Sequence, residues 1–498
     1  MDCTDDAMEG AGAVRFSRPR GVGADAPSGE PPTVVLVNVG TDSAFKESIR
    51  KQYNFPPYGL LSIASVLRAH GCRVRLIDLL TERLSREEFA ARLRDAGEGV
   101  LMVGVPTYTE CLHLALEVAR VARRELPAAR VVLGGVHTTF RPSDGLDEPA
   151  VDFVVRGEGE QTMVGLLSAL RYGLPLSRVP GLTYRGERGL VSTPDRALVS
   201  SLDSLPLPAF DLLGDKTGYS KMASIISSRG CPGSCVFCAS RAFSGPRYRK
   251  HSAEWLFSLL FHYHCRVLPI DVVNFMDDTF TADRRRLERF HEILRFAGWT
   301  KSWSCKSRAD SLSEPTIRLL AAAGCRSIHI GIESGDQRVL DSIEKHMDLQ
   351  RCLDVVGLLN AFGIRLECSF MIGLPEDTKE TIDKTLILAS VINERELGLA
   401  TVGLATPFPG TRMAEDAECT GLRLRTLDWR NYTTQKPIFG TARFSIEDLR
   451  RAFDAFHREK ALLKAPAVIS DADLSGFRKD LEEWATRIHV MKAQPIPA

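Results

Sequence analysis

The 498-residue sequence predicts an α/β protein in which two sheets of mainly parallel strands follow one another along the chain. From residue 32 onward, short β-branched runs alternate with longer amphipathic periods, which is the pattern of repeated β–α units. The length exceeds what one ordinary core supports, so two or three domains are expected. A proline-containing stretch separates the two series, with prolines at Pro180, Pro194, Pro206 and Pro208.

The first series predicts a domain over residues 32–175 with an open parallel sheet covered by helices on both faces. We expect ligands beyond the carboxyl ends of its strands. Residues 1–31, rich in Gly, Ala, Pro and charge, are predicted to be disordered, and 176–216 to be a linker. The five predicted strands cover 33–39, 73–78, 99–105, 129–135 and 151–157.

The second series predicts a (β/α)6 partial TIM barrel over residues 217–413. Repeated right-handed β–α crossovers curl in this way and place the site at the carboxyl ends of the strands. The remaining residues, 414–498, predict a small helical C-terminal region. The six predicted barrel strands cover 222–228, 270–276, 302–307, 326–331, 365–372 and 399–405.

Composition argues against several classes of protein. The chain has 64 Lys and Arg against 63 Asp and Glu, so its net charge of +1 offers no general attraction to nucleic acid. No run approaches the roughly 20 apolar residues of a membrane span. The first thirty residues lack the apolar core of a secretion signal. We therefore expect a cytoplasmic protein without nucleic-acid partners.

A cysteine run, SSRGCPGSCVFCAS at 227–240, places Cys231, Cys235 and Cys238 in a C-x3-C-x2-C spacing. A structural zinc usually takes four protein ligands, and no second Cys/His pair follows at matching spacing. A disulfide would leave one of the three cysteines over. Three thiolates with one open position suit an iron–sulfur cluster that binds something else at its fourth iron. The run directly follows the first predicted barrel strand, where a site is expected.

Together with FMDDTFT, GIESG and FMIGLPEDT, this run closely resembles the radical S-adenosylmethionine (SAM) superfamily. The preceding segments PPYGLLSIASVLRAHG and VVLGGVHTT resemble its cobalamin-binding, methyltransferase-like subgroup. The resemblance covers about residues 32–460. It implies an N-terminal Rossmann-like cobalamin-binding domain followed by a radical SAM partial barrel.

The resemblance also implies the cofactors. In this family three thiolates hold a [4Fe–4S] cluster whose fourth iron is chelated by SAM, and one-electron reduction of SAM yields a 5′-deoxyadenosyl radical. A small-molecule substrate and an electron donor such as flavodoxin or ferredoxin are implied partners. The positions that resemble SAM-binding residues of the family are Phe237, Asp277, Asp278, Arg308, Glu333, Ser334, Gly373, Leu374 and Pro375.

For the cobalamin domain, we expect contacts at the carboxyl ends of its strands. The D-x-H-x-x-G sequence of many cobalamin domains is absent after the first strand, where the chain reads VNVGTD. Family members of this subgroup commonly lack the motif and hold cobalamin without a histidine on cobalt. The candidate cobalamin-binding residues are Thr107, Tyr108, Thr109, Gly134, Gly135, His137, Thr138, Glu158, Gly159 and Glu160.

Three functions follow from the resemblance. The leading hypothesis is methylation of an unactivated substrate carbon, with one SAM generating the radical and a second restoring methylcobalamin. A second hypothesis keeps the cofactors but gives a radical cyclisation, oxidation or rearrangement without methyl transfer. A third is a non-catalytic cobalamin or iron–sulfur sensor, although the sequence carries no basic DNA-reading helix as an output module.

Overall fold

The computed structural model describes residues 30–39, 54–97, 99–214, 216–459 and 469–492. The predicted disordered segment therefore lies outside the described residues, except for its last two. The described chain forms two compact units. The first unit contains the residues up to Ser224 together with Arg249–Asp271, and the second contains Ile225–Tyr248 and the residues from Val272 onward.

The first unit is built on a seven-stranded sheet of order β2-β1-β3-β4-β5-β6-β7. The first five strands pair in parallel, as predicted, and β6 and β7 add antiparallel at one edge. The bounds are β1 Thr33–Asn38, β2 Arg73–Asp78, β3 Val100–Pro106, β4 Arg130–Gly134, β5 Phe153–Val155, β6 Leu182–Gly186 and β7 Gly189–Ser192.

The β6–β7 hairpin lies inside the stretch 176–216 that was predicted to be a linker. Thr193 fixes it, because its hydroxyl accepts from the Leu182 backbone N–H at 2.9 Å and donates to the Val179 carbonyl at 2.7 Å. The guanidinium of Arg185 donates to the Val151 carbonyl. Part of the predicted linker therefore extends the sheet of the first unit.

Helices cover both faces of this sheet. Alternate residues of each strand enter different cores: Val35 and Val103 belong to one cluster, and Val34 and Met102 to the other. This alternation follows from the two-residue period of a strand. The helices are α1 Tyr58–Ala69, α2 Leu79–Glu82, α3 Arg86–Arg94, α4 Leu112–Glu125, α5 Val136–Phe140, α6 Pro142–Leu146 and α7 Gly159–Tyr172.

A later segment, which includes a helix over Ala253–His262, also belongs to the first unit. The sequence prediction placed it in the barrel domain. Its start is anchored by His251, whose Nδ1 lies 3.0 Å from Asp203 Oδ1 and whose ring stacks on Trp255 with a centroid separation of 3.4 Å. These contacts explain why the segment clusters with residues far behind it in the sequence.

The second sheet has six strands in the order β13-β12-β11-β10-β9-β8, which matches the six predicted barrel strands. The four neighbouring pairs from β9 to β13 are parallel. The bounds are β8 Met222–Ile225, β9 Val272–Phe275, β10 Ser302–Ser307, β11 Cys325–Glu333, β12 Arg365–Ile372 and β13 Leu399–Leu404.

The helices of the second unit connect these strands and form the C-terminal region. Residues 414–498 were predicted to be helical, but the region also contains a short antiparallel pair, β14 Arg423–Leu424 and β15 Phe439–Gly440. The helices are α8 Ser240–Ser244, α9 Arg284–Phe296, α10 Glu314–Ala322, α11 Gln337–Ser342, α12 Leu349–Ala361, α13 Lys379–Glu394, α14 Arg412–Glu415, α15 Ile446–Asp454 and α16 Ser475–Lys492.

Within the described part of the chain, no helix has both the length and the apolar character needed to cross a membrane.

Candidate functional site

The three cysteines lie on a loop that follows β8. Cys231 and Cys235 are half-buried and Cys238 is exposed. The backbone N–H of Gly233 lies 3.4 Å from Cys231 Sγ, and the N–H of Ser240 lies 3.5 Å from Cys238 Sγ. A Cβ at Gly233 would stand 3.4 Å from Cys231 Sγ and 3.8 Å from Cys235 Sγ. The tightest contact of that Cβ would be with Arg308 Nη1 at 3.1 Å, so glycine leaves room for the guanidinium beside the thiols.

Two cations face Cys235. Arg308 Nη1 lies 3.9 Å from Cys235 Sγ, while its other nitrogens are held by the Asp310 carboxylate and, at 2.8 Å, by the carbonyl of Lys345. Burial raises the pKa of the Cys235 thiol, and the charges of Lys345 and Arg308 oppose that rise. The two cations thus lessen the cost of forming the thiolate that a metal cluster requires, although the pKa of the thiol stays raised overall.

Lys345 was not predicted as a site residue. Its buried Nζ lies 2.8 Å from Glu333 Oε1 and 5.9 Å from the centre of the Phe237 ring. Glu333 ends β11 at a register shift and has a φ of +75°, an unusual conformation for a residue other than glycine. Through its ion pair with Lys345, Glu333, a predicted SAM-binding residue, lies close to the cysteine loop.

The two aspartates after β9 have different environments. Asp277 is buried, and its Oδ2 accepts from the Ser227 hydroxyl at 2.6 Å while its Oδ1 accepts from the Ser228 N–H at 3.1 Å. It therefore fixes the chain just before the cysteines. Asp278 is exposed and accepts from the Ser240 hydroxyl at 3.1 Å, so it is the better placed of the two to meet a ligand.

The loop Gly373–Pro375 is shaped by a residue that was not predicted, Asp377. Its Oδ2 accepts from the N–H groups of Gly373 and Leu374, both at 2.9 Å, and its Oδ1 accepts from the Thr381 hydroxyl at 2.7 Å. Burial raises the pKa of Asp377 to about 7, despite these hydrogen bonds. Gly373 has a φ of +85°, which glycine tolerates without strain.

Ser334 is fully buried and points to the helix layer. Its hydroxyl lies 3.3 Å from Thr385 Oγ1 on α13 and accepts from the Asp336 N–H at 3.2 Å. This environment is that of a structural residue. Of the predicted SAM residues, Phe237, Arg308 and Glu333 therefore cluster with the cysteines, while Ser334 lies behind the strand.

The loop fits a cubane cluster. Its thiols are held by backbone N–H groups and neighbouring cations, and a cysteine-ligated cluster is stabilised by such hydrogen bonds and charges. No group of three or more His, Cys, Asp or Glu side chains in the described ranges is arranged to hold a metal ion. A cubane instead binds each cysteine at a separate iron, so its thiolates are spaced more widely than the ligands of one ion.

At the carboxyl edge of the first sheet, Thr107 and Thr138 support the turns. Their hydroxyl oxygens lie 2.9 Å apart, and the Thr107 hydroxyl also donates to the Gly134 carbonyl at 2.9 Å. Both threonines are fully buried. Gly135 has a φ of +105°, and a Cβ there would lie 2.7 Å from the Thr107 carbonyl oxygen. These residues set the shape of the edge rather than present hydroxyls to a ligand.

His137 is buried in the same region, and both of its ring nitrogens have partners. Nδ1 lies 3.2 Å from Thr109 Oγ1, and Nε2 lies 3.3 Å from Asp144 Oδ2. Burial acts to raise the pKa of Asp144, but the bonds from His137 and Arg141 lower it overall. The geometry is that of a histidine satisfied within the fold, not of one directed at cobalt.

The acidic residues after β5 also have internal partners. Glu158 forms a buried ion pair with Arg249 at 2.8 Å, and Glu160 accepts from the Ser62 hydroxyl at 2.9 Å. Gly159 lies between them, and a Cβ there would meet Ile63 at 3.1 Å. The side chains of Glu158 and Glu160 are therefore engaged within the fold, whereas Gly159 is only partly buried, and the assignment of all three to cobalamin stays a prediction.

Tyr108 differs from the other candidates at this edge because it is 55% exposed directly after β3. Together with the partly buried Gly134, Gly135 and Gly159 it forms the accessible part of the predicted surface. An exposed aromatic ring beside a glycine turn suits close approach of a large flat ligand such as a corrin.

Sequence profiles match both units. The B12 binding domain profile matches residues 50–167, and the Radical SAM superfamily profile matches residues 225–389. The matches follow the predicted order of domains.

Two curated relatives span most of the chain. A protein of Pyrococcus horikoshii named "Uncharacterized methyltransferase PH0819" is 34% identical over 442 residues, which cover 86% of this chain and 94% of the relative. The anaerobic magnesium-protoporphyrin IX monomethyl ester cyclase of Rubrivivax gelatinosus is 26% identical, covering 88% of this chain and 79% of the relative.

Among solved structures, the radical SAM methyltransferase TsrM of Kitasatospora setae, with cobalamin and a [4Fe–4S] cluster bound, has the same fold. The TM-score is 0.67 at 18% identity, covering 93% of this chain and 100% of that protein. The chain therefore belongs to the cobalamin-dependent radical SAM methyltransferase family, whose members carry a B12-binding domain before a radical SAM domain and use a [4Fe–4S] cluster, SAM and cobalamin.

Proposed function

We propose that this enzyme methylates an unactivated carbon of a small-molecule substrate. When bound, the cluster and SAM supply radical chemistry, and cobalamin supplies the methyl group. The chain's own contribution is to hold three thiolates on one loop, to place two cations beside Cys235, and to present the carboxyl edge of the first sheet to the corrin. The observation that carries the proposal is this three-thiol loop in a chain that also has the B12-type sheet.

The roles of individual residues are part of the proposal. We assign the cluster to Cys231, Cys235 and Cys238, and SAM contacts to Phe237 and Asp278. Further SAM contacts are assigned to Arg308, Glu333 and the backbone of Gly373–Pro375. We assign the cobalamin contacts to the accessible part of the edge, namely Tyr108, Gly134, Gly135 and Gly159, while the buried candidates hold that edge in shape.

Methyl transfer is preferred over other radical outcomes because the relative at 34% identity is named a methyltransferase, whereas the relative at 26% identity is named a cyclase. The engaged nitrogens of His137 agree with cobalamin bound without an imidazole from this residue. Cyclisation, oxidation or rearrangement without methyl transfer is the second candidate.

The test uses anaerobically reconstituted protein, a chemical reductant and SAM with a deuterated methyl group. We expect S-adenosylhomocysteine, 5′-deoxyadenosine and labelled methylcobalamin to form even before the substrate is known. Replacing Cys235 with alanine should abolish 5′-deoxyadenosine formation, while replacing the exposed Cys419 with alanine should not. Formation of 5′-deoxyadenosine with neither S-adenosylhomocysteine nor methylcobalamin would contradict methyl transfer and favour the second candidate.

The proposal includes a flavodoxin or ferredoxin as electron donor and a cytoplasmic location. A cluster with one open iron must be reduced for each radical event, and a reducing compartment protects it from oxidation. Reduction of the reconstituted cluster by purified flavodoxin and its reductase would test the donor.

A further inference from the structure

The inner face of the second sheet is polar, although barrel interiors are usually filled by branched apolar side chains. Outward-facing residues of its strands, such as Ile328, Ile330 and Leu366, are apolar and buried. The alternate, inward-facing residues are mostly polar and only partly buried. The polar ones that are partly buried are Asn274, Ser304, Lys306, His329, Glu367 and Ser369, and Thr401 on the edge strand is exposed. This face therefore does not form a packed apolar core.

Three of these side chains form one row across three neighbouring strands, which we call the charged row. The register pairs Lys306 of β10 with His329 of β11, and His329 with Glu367 of β12. Adjacent strands lie about 4.8 Å apart, so the row spans roughly 10 Å. Burial, followed by the charge of Lys306, lowers the pKa of His329. The row thus places a lysine, a histidine and a glutamate side by side on neighbouring strands.

The two ends of the charged row differ in their partners. Glu367 Oε1 accepts from the Ser327 hydroxyl at 2.9 Å, and His329 Nε2 lies 3.2 Å from Ser369 Oγ. The Lys306 side chain makes no hydrogen bond or ion pair with any residue in the described part of the chain. Burial lowers its pKa, and the charges of Asp278 and Asp277 act in the opposite direction.

A structural lysine at a partly buried position normally contacts a carboxylate, because an unpaired buried charge is costly. Lys345 in the same unit follows this rule, with Glu333 at 2.8 Å. Lys306 does not contact a carboxylate, although Glu367 lies in the same row two strands away. Asp278 and Asp277 act on its ammonium by charge alone, without an ion pair, so the ammonium is available to bond an acidic group of a ligand.

We propose that the charged row binds the substrate, and that the substrate is a polar molecule with an acidic group and, several bonds away, an ammonium or hydroxyl group. Lys306 binds the acidic group, a carboxylate or a phosphate, and Glu367 accepts from the donor group. His329 contacts the segment between them. The inference rests on the proposed function, because it names the class of molecule that would be methylated.

The test measures binding, not catalysis, in full-length reconstituted protein saturated with SAM. The two-headed probes, 6-aminohexanoate and 6-aminohexyl phosphate, carry an acidic group and an ammonium. The single-headed probes, hexanoate and hexylamine, carry one of the two. Binding of each probe is measured by saturation-transfer NMR. We expect one of the two-headed probes to bind about tenfold more tightly than either single-headed probe, since each lost charge-assisted bond weakens binding about that much. Which two-headed probe binds better distinguishes a carboxylate from a phosphate.

Two variants assign the ends of the row. Lys306→Met should remove the advantage of the two-headed probes over hexylamine, and Glu367→Gln should remove their advantage over hexanoate. The matched controls Lys301→Met and Glu447→Gln should retain both preferences.

The proposal is overturned if no probe binds, if the two-headed probes gain nothing over the single-headed ones, or if the variants leave the preferences intact. Weaker SAM binding in Lys306→Met with unchanged probe preferences would place Lys306 in the nucleotide site and also overturn it. This binding test does not measure methyl transfer, so its failure can be told apart from failure of the proposed function. If the proposed function is wrong, labelled methylcobalamin will be missing even though the probes bind.

Discussion

Replacing Lys345 with methionine should destabilise the second unit strongly. Lys345 Nζ lies 2.8 Å from Glu333 Oε1, and each of the two side chains is only 8% exposed. Methionine leaves the Glu333 carboxylate buried without its partner, and removing one member of a buried pair typically costs about 3–5 kcal/mol. Replacing both members, as Lys345→Met with Glu333→Gln, removes the stranded charge, so the double variant should lose much less than the single one.

The free energy of unfolding is measured by anaerobic urea titration of cluster-free protein, followed by circular dichroism and by fluorescence, to which the buried Trp303 contributes. Omitting the cluster separates the ion pair from iron binding at Cys235. The control is Arg412→Met, which breaks a 2.7 Å pair with Glu344 whose side chains are 50% and 35% exposed. Such surface pairs contribute about 0–1 kcal/mol. A Lys345→Met loss no greater than that of the control would refute the reasoning.

Three further changes have defined outcomes. Burial raises the pKa of Asp377 from its ordinary 3.8 to about 7 in the fold. The free energy of unfolding should therefore fall as pH rises from 4 to 7, because in that range the carboxyl ionises in the unfolded chain but not in the fold. Urea titrations at several pH values should show a weaker pH dependence of stability in Asp377→Asn. Gly135 has a φ of +105°, and a Cβ there would lie 2.7 Å from the Thr107 carbonyl oxygen. Gly135→Ala should therefore lower the free energy of unfolding by about 1–3 kcal/mol in urea titrations. It should also weaken cobalamin retention on gel filtration. Replacing the three loop cysteines with alanine should abolish iron and sulfide incorporation in chemical analysis, and retained cluster content would contradict the assignment.

The strands of both sheets could be predicted from the sequence because buried parallel strands appear as short β-branched runs between helical periods. The predicted runs 73–78, 302–307 and 365–372 coincide with observed strands. The β6–β7 hairpin was missed because it is short, its second strand is exposed, and prolines surround it. Its pairing depends on the edge of β5, a partner that local sequence does not reveal.

The cysteine loop was predictable because its chemistry lies within eight consecutive residues. Lys345 was not, since it lies in a connection twelve residues after Glu333 and only the fold returns it to the cysteines. The local stretch SIEKHM gave no signal, because the polar Glu344 and His346 flank this lysine. Asp377 lay within a recognised motif, but its role in shaping that loop required the hydrogen bonds to Gly373 and Leu374.

At the carboxyl edge of the first sheet, the sequence predicted which residues follow the strands but not which of their side chains face a ligand. Position after a parallel strand places a residue at the binding edge, but it does not say whether the side chain faces a ligand or the fold. Thr138, His137 and Glu158 share that position and are all buried with internal partners, whereas Tyr108 is exposed. Side-chain direction at a turn depends on backbone angles that residue type alone does not determine.

The most direct test of the account is electron paramagnetic resonance of the reduced, anaerobically reconstituted protein with and without SAM. We predict a [4Fe–4S] signal whose g-values shift when SAM is added, because SAM chelates the iron that the three cysteines leave open. A signal indifferent to SAM, or a cluster whose fourth iron is bound by a protein side chain, would contradict it.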